Sequence, residues 1–218
     1  NAVYRDTAAW YHIVFRFDST QATANDRMRI YINGTEETSL GTQTMPSQNA
    51  SCAACSGGRF GISVSYSGTS NPFRGYMTQF IYADGQSYAP STFGSTNSNN
   101  IWVPNTSPSV NYGNNGFKLD FAGTGTSADA NGFGADSSGN NNHLATAGEG
   151  TNPSTTDTPQ NNFCQWNTGA NSSYTTLSNG NLIATGNTSS NNGNTDGTIA
   201  PLGGKWYWEA KYVTAASS

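Results

Sequence analysis

Four aromatic residues lie in polar, loop-like stretches of the chain, where an aromatic ring could hold a sugar. They are Trp102, Tyr112, Trp166 and Tyr174. Proteins bind neutral glycans by stacking aromatic faces on the sugar ring, while Asn, Asp and backbone groups hydrogen-bond its hydroxyls. We therefore predict these four as glycan-binding residues. The alternative is that each ring anchors its own loop to the sheets.

The chain offers little to a catalytic mechanism. Glu36 and Glu37 directly follow a turn and would point to opposite sides of an extended strand, which favours a solvated pair over a catalytic acid and base. The sequence contains no Gly-x-Ser-x-Gly nucleophile elbow. His12 and His143 have no credible nucleophile near them in the sequence. We therefore predict a protein without enzymatic activity.

Three cysteines leave several interpretations open. Cys52 and Cys55 have the CxxC spacing, which fits a loop disulfide, half of a zinc site, or two free thiols. A tetrahedral zinc site would also have to recruit Cys164 and one of the two histidines. The spacing alone does not choose between these possibilities.

Composition restricts the class of protein and its partners. The 218 residues carry a net charge of −4 with only 10% charged residues, which argues against nucleic acid or an anionic membrane as a partner. No apolar run is long enough to span a bilayer, so we expect no membrane insertion. Hydrophobic residues make up 34% of the chain and aromatics 12%, which together with the few charges favours an ordered, loop-rich protein over a disordered one.

Short alternating runs must supply the elements that position these residues. Apolar residues alternate in four segments, which predicts strands at 10–17, 27–32, 60–66 and 73–82. In the first strand Tyr11, Ile13, Phe15 and Phe17 would share one face, and we expect one face of the sheet, this apolar one, to be buried and the other less so. The second ends in Asn33-Gly34, a hairpin signal. Further strands are predicted at 117–121, around 177–184 and at 205–213, with no helical period, so the fold class is all-β.

The first part of the chain resembles a known sandwich family. The runs Trp10-Tyr-His-Ile-Val, Tyr31-Ile-Asn-Gly34 and Phe73-Arg-Gly-Tyr-Met are similar to the later strands of laminin-G and pentraxin-type domains of the concanavalin A-like class. This resemblance implies an antiparallel jelly-roll β-sandwich over residues 1–94. The family's early strands are missing, so we expect the chain to be part of a longer polypeptide.

Two runs in the second part of the chain are also informative, Asn115-Gly-Phe-Lys-Leu-Asp-Phe121 and Gly203-Gly-Lys-Trp-Tyr-Trp-Glu209. They resemble runs in large structural proteins of marine bacteriophages, in which a laminin-G-like domain is followed by a SPRY-like sandwich. They imply a loop-rich connector over residues 95–172 and the first strands of a second, SPRY-like sandwich over 173–218. All six arginines fall before residue 75, a change in charge that also suggests a boundary near residue 95.

The resemblance implies calcium as a cofactor and argues against glucanase activity. Related laminin-G domains bind calcium through loop acids, which implies Asp84, Asp136 and Asn140 as calcium ligands. The alternative is that these Asx-rich turns satisfy only their own backbone. Glucanases of this class carry a Glu-x-Asp-x-x-Glu pattern, and this chain lacks it.

These observations predict a virion surface protein, such as a phage tail fibre, spike or capsid decoration, that displays lectin-like domains to host-cell glycans. Its expected partners are a host glycan, other virion proteins and copies of itself, with a trimer as one arrangement. Its expected location is the virion surface or the extracellular space. Two alternatives stay open: a purely architectural fibre or coat component, and a glycan-degrading enzyme whose carboxylates lie outside this chain.

Overall fold

The protein is all-β, as the alternating runs predict. The structure is a computed structural model, and it describes residues 4, 6, 8–52, 62, 73, 75–147, 154–187, 193–200 and 202–213. Its strands are short and antiparallel, and the described helical residues form only 3-10 turns, at Ala24–Asp26, Pro90–Thr92 and Thr168–Ala170. The jelly-roll arrangement stays a prediction, and the predicted strand at 60–66 lies, apart from Ile62, outside the described residues. No helix in the described part of the chain is both apolar enough and long enough to cross a bilayer.

The chain divides into two compact units. The first consists of Asn1–Arg5 and Tyr11–Gly148, and the second of Asp6–Trp10 and Glu149–Ser218. The domain boundaries predicted at 94/95 and 172/173 stay predictions. Each unit is described on its own below.

In the first unit, three strands form an antiparallel sheet in the order β1-β2-β3. They are β1 (Ile13–Phe17), β2 (Met28–Ile32) and β3 (Thr35–Glu36). Asn33 and Gly34 connect β2 to β3 with φ of 49° and 81°, the pair of positive angles that a two-residue type I′ turn requires. The hairpin predicted from Asn-Gly is therefore confirmed.

The apolar face of this sheet differs from the expected buried face. Ile13 and Phe15 are 65% and 56% exposed, whereas Val14 and Arg16 on the opposite face are half-buried. Alternation determines which side chains share a face, but it does not determine which face other elements cover. Tyr31, on the same face as Val14 and Arg16 through its pairing with Val14, is the buried residue of β2.

Two further pairs complete the described strands of the first unit. They are β4 (Phe80–Tyr82) with β7 (Phe117–Leu119), and β5 (Gly94–Thr96) with β6 (Trp102–Pro104). Strand β4 is shorter than the predicted 73–82 strand because Gln79 has φ of 51°, which is incompatible with extended backbone. Phe117 and Leu119 are buried, and the ring of Phe80 stacks on Phe117 with centroids 5.9 Å apart. This apolar β4–β7 pair contacts the polar loops of the candidate site, since the N–H of Lys118 in β7 donates a hydrogen bond to Asp136.

In the second unit the described strands form one hairpin. The predicted strand around 177–184 is instead two strands, β8 (Thr175–Ser178) and β9 (Ile183–Gly186), joined by a tight turn. Asn179 and Asn181 have φ of 51° and 62°, so the Asn-Gly-Asn sequence reverses the chain rather than extending it. The run 205–213, predicted as a strand, is fully exposed and has no strand assignment.

Candidate functional site

A buried carboxylate organises the loop that follows β7, which we call the Asp136 loop (residues 136–143). Asp136 is 9% exposed. Its Oδ1 accepts hydrogen bonds from the backbone N–H of Lys118 (2.9 Å) and of Ser138 (2.8 Å), and its Oδ2 accepts from Ser138 Oγ and from the N–H of Asn142, both at 2.9 Å. Burial acts to raise the pKa of Asp136, but these four hydrogen bonds outweigh it and the net pKa is lowered. Asp136 is therefore a stable carboxylate whose oxygen atoms are all engaged.

The other two predicted calcium ligands lie on either side of the turn at 112–116. Asp84 Oδ2 accepts hydrogen bonds from the backbone N–H of Asn115 (3.3 Å) and from its side-chain amide (2.8 Å). The side-chain amide of Asn140 donates to the carbonyls of Gly113 (2.7 Å) and Gly116 (2.9 Å). The three predicted ligands thus hold one group of loops together.

In this group the oxygen donors are used largely by the protein itself. Asp136 accepts four hydrogen bonds, and Asp84 accepts two on one oxygen atom. Within the described ranges, no three His, Cys, Asp or Glu side chains gather as a metal-binding cluster. Calcium binding by Asp84, Asp136 and Asn140 stays a prediction.

A cleft of about 480 Å³ opens beside the Asp136 loop. Its walls include Asp120, Phe121, Asn131 and Ser137, and three alanines leave space between them. Lys118 Nζ lies 3.0 Å from Asp120 Oδ1, and Ser137 Oγ donates to Asp120 Oδ2 at 2.7 Å. The Asp120 carboxylate is therefore fixed in position with its charge partly neutralised, which suits an acceptor of hydroxyl hydrogen bonds.

Phe121 has an unusual backbone conformation at this cleft. Its φ is 53°, the left-handed region that bulky L residues rarely adopt. The alternation of 117–121 predicts a strand that would bury Phe121 beside Phe117 and Leu119. The strand instead ends at Leu119, and Phe121 is half-buried at the cleft. Positive φ at non-glycine residues concentrates at ligand-binding positions, which makes Phe121 a candidate that the sequence pattern concealed.

Tyr112 is the predicted glycan-binding aromatic whose pKa the carboxylates of this cleft affect. It is half-buried, and its pKa is raised first by burial and then by the negative charges of Asp120 and Asp136. Its hydroxyl therefore stays protonated and is able to donate a hydrogen bond. Both of these carboxylates line the cleft.

Trp102 has the properties of an anchor rather than a sugar platform. Its ring stacks on His12 with centroids 5.0 Å apart and an interplanar angle of 24°. A Cβ built on Gly34 would lie 2.2 Å from the ring, and one on Gly94 would lie 2.8 Å from it, so both glycines allow close packing. Burial lowers the pKa of His12, which keeps the stacked imidazole neutral at physiological pH. The structure therefore shows Trp102 packed against His12, which precedes β1, against Gly34 in the β2–β3 turn, and against Gly94 of β5.

In the second unit, Trp166 and Tyr174 flank the β8–β9 hairpin. The backbone N–H of Trp166 donates to the Asn181 carbonyl at 2.8 Å, and Trp166 forms an antiparallel β-bridge with Gly197. Tyr174 is 41% exposed and precedes β8. The four predicted aromatics are therefore divided between the two units.

A second buried carboxylate, which the sequence analysis did not identify, holds the loops of the second unit. Asp157 is 5% exposed. Its Oδ2 accepts from Trp10 Nε1 (3.0 Å) and Gln165 Nε2 (2.8 Å), and its Oδ1 accepts from the N–H of Phe163 (2.8 Å). Both units therefore use an aspartate at the centre of irregular backbone. Asp136 has a local sequence signal, because the N–H of Ser138 two residues later closes an Asx turn on its carboxylate, whereas the nearest donor to Asp157 is the N–H of Phe163, six residues later.

Comparisons with protein-family models, with curated proteins and with solved structures found no match to this chain.

Proposed function

We propose that the protein is a non-catalytic surface protein that binds neutral glycans at the cleft beside Phe121. The observation that carries the proposal is the cleft itself, which combines one half-buried aromatic ring with Asp120 and Asn131 at its wall. Its volume of about 480 Å³ lies within the usual range for small-ligand sites. Aromatic faces beside fixed hydrogen-bond acceptors are the groups that sugar rings need.

The charges at the cleft support binding over hydrolysis. A glycosidase needs one carboxyl group that is protonated near neutral pH to act as the general acid. The pKa of Asp136 is lowered, which keeps that carboxyl group ionised, and the Asp120 carboxylate lies 3.0 Å from Lys118 Nζ. Asp136 is therefore a poor general acid, and Asp120 is the cleft carboxylate that can accept hydrogen bonds from sugar hydroxyls.

The biological setting of the proposal rests on the resemblance to marine bacteriophage proteins. In that setting the protein is a component of a tail fibre, spike or capsid decoration at the virion surface, where a jelly-roll domain presents the cleft to host-cell glycans. Other virion proteins would be its structural partners. Calcium would have a structural role at Asp84, Asp136 and Asn140.

The test uses the 218-residue chain on a glycan array, followed by calorimetry with the best neutral oligosaccharide. Phe121→Gly removes the ring and suits the positive φ, so the fold is retained while affinity falls about tenfold or more. Tyr174→Ala is the discriminating variant, because it removes the exposed aromatic of the other unit that the sequence also predicts to bind glycan, and the cleft assignment expects it to leave affinity unchanged. Binding that survives Phe121→Gly but disappears in Tyr174→Ala would refute the cleft assignment, and a chain that binds no glycan would refute the proposal.

One observation favours a second candidate, a purely architectural role. Ile13 and Phe15 present an apolar surface that other described elements do not cover. Exposed apolar patches of this kind mark contacts between proteins. Self-association through this surface, in a chain that binds no glycan, would support this role.

A further inference from the structure

An exposed aromatic segment, residues 202–213, has no strand partner among the described residues. Every described residue of 202–213 is exposed, and Trp208 and Tyr212 are 81% and 79% exposed. Among the described residues, no backbone hydrogen bond reaches positions 205–213. Aromatic side chains combined with unpaired peptide groups are the features of a strand that pairs with another strand.

The sequence of this segment separates its side chains into two faces when extended. Trp208, Ala210 and Tyr212 share one face, and the residues at 207, 209, 211 and 213 share the other. The Tyr207 hydroxyl donates a hydrogen bond to Glu209 Oε1, a contact between i and i+2 that fits this alternation. One face is thus apolar, and the other carries a negative and a positive charge two residues apart.

We propose that residues 207–213 pair antiparallel with the same residues of a second copy of this chain, about a two-fold axis at Ala210. In this register Glu209 lies opposite Lys211 of the other copy, and the symmetry repeats the ion pair. On the other face, Trp208 lies opposite Tyr212 on both sides of the two small alanines. The partner is therefore a second copy, chosen by charge complementarity.

Other two-fold registers are poorer. An axis at Glu209 or at Lys211 places like charges directly opposite each other, which is destabilising. An axis at Tyr207 pairs Lys205 with Glu209, but its ladder is short because Gly204 has φ of 93° and ends the extended backbone. The Ala210 register gives the longest ladder with opposite charges paired. This proposal is independent of glycan binding.

Sedimentation equilibrium of the 218-residue chain over a range of concentrations tests the proposal. We expect a monomer–dimer equilibrium, and Glu209→Lys or Lys211→Glu alone should raise its dissociation constant on the order of tenfold. The double variant with both changes should restore it, because the ion pair is re-formed with reversed signs. Lys205→Glu, a charge change outside the ladder, is the matched control and should leave the constant unchanged.

Each outcome bears on the proposal. A chain that stays monomeric, or a double variant that is no better than either single one, would overturn it. A loss of dimer in Lys205→Glu but not in Lys211→Glu would overturn the Ala210 register in favour of the Tyr207 one. Because all three charged residues are exposed, circular dichroism should show the same fold in every variant.

Discussion

Replacement of Asp136 by asparagine tests whether a single carboxylate organises the loops around the cleft. Asparagine has nearly the same shape but only one oxygen acceptor. If its amide nitrogen takes the position of Oδ2, Ser138 Oγ can rotate to accept, whereas the N–H of Asn142 loses its acceptor. The hydrogen bonds from the N–H of Lys118 and of Ser138 remain, but they lose the strength that the negative charge gives them.

The expected cost is about 3 kcal/mol of the free energy of unfolding of the first unit. An unsatisfied buried N–H costs roughly 1–3 kcal/mol, and the two weakened bonds together lose roughly 1–2 kcal/mol, while easier desolvation of the neutral amide offsets part of this. Urea unfolding followed by tryptophan fluorescence measures the change. The matched control is Asp84→Asn, since its remaining oxygen atom can accept both bonds from Asn115, so its cost should stay below about 1 kcal/mol. Equal costs for the two variants would refute the reasoning.

Two further predictions concern the packing around Trp102. Burial lowers the pKa of His12 below 6.5, so the imidazole binds a proton more tightly in the unfolded chain than in the folded one. The free energy of unfolding should therefore fall as the pH drops through 6.5. His12→Phe should remove this dependence, which urea midpoints measured from about pH 8 to pH 5 would show. Gly94→Ala should lower the free energy of unfolding by about 1–3 kcal/mol because its Cβ would lie 2.6 Å from the Val103 carbonyl oxygen. Gly41→Ala, where nothing lies within 4 Å, is the control and should be neutral; equal effects at the two glycines would contradict the packing described here.

Local sequence signals predicted the strands better than their environment. The Asn33-Gly34 turn and the β1–β2 alternation are found as expected, because turn chemistry and side-chain period act over a few residues. The exposure of Ile13 and Phe15 could not be predicted, since it depends on which elements pack on each face of the sheet. The alternation of 117–121 was also misleading, because Phe121 leaves the strand through a positive φ that its residue type disfavours.

The loops of the candidate site bring together residues to which the sequence analysis assigns separate roles, and those roles stay predictions. Tyr112, Asp84, Asp136 and Asn140 were selected as separate glycan and calcium residues, and the structure places them in one connected group of loops. The sequence analysis did not select Phe121 as a candidate binding residue, because the alternation of 117–121 predicts it to be a core residue of a strand. Asp157 was missed because its three side-chain hydrogen bonds come from residues before and after it in the chain, and composition carries no trace of such contacts.

The two central aspartates have a thermodynamic consequence. Much of what they enclose is peptide amide and carboxylate rather than hydrocarbon, while the fully apolar interior of the described chain is small. Unfolding exposes polar groups that lower the heat capacity and apolar groups that raise it, so the net heat-capacity increment should be low for a chain of this length. The curve of unfolding free energy against temperature is then shallow, and stability changes little between cold and warm water.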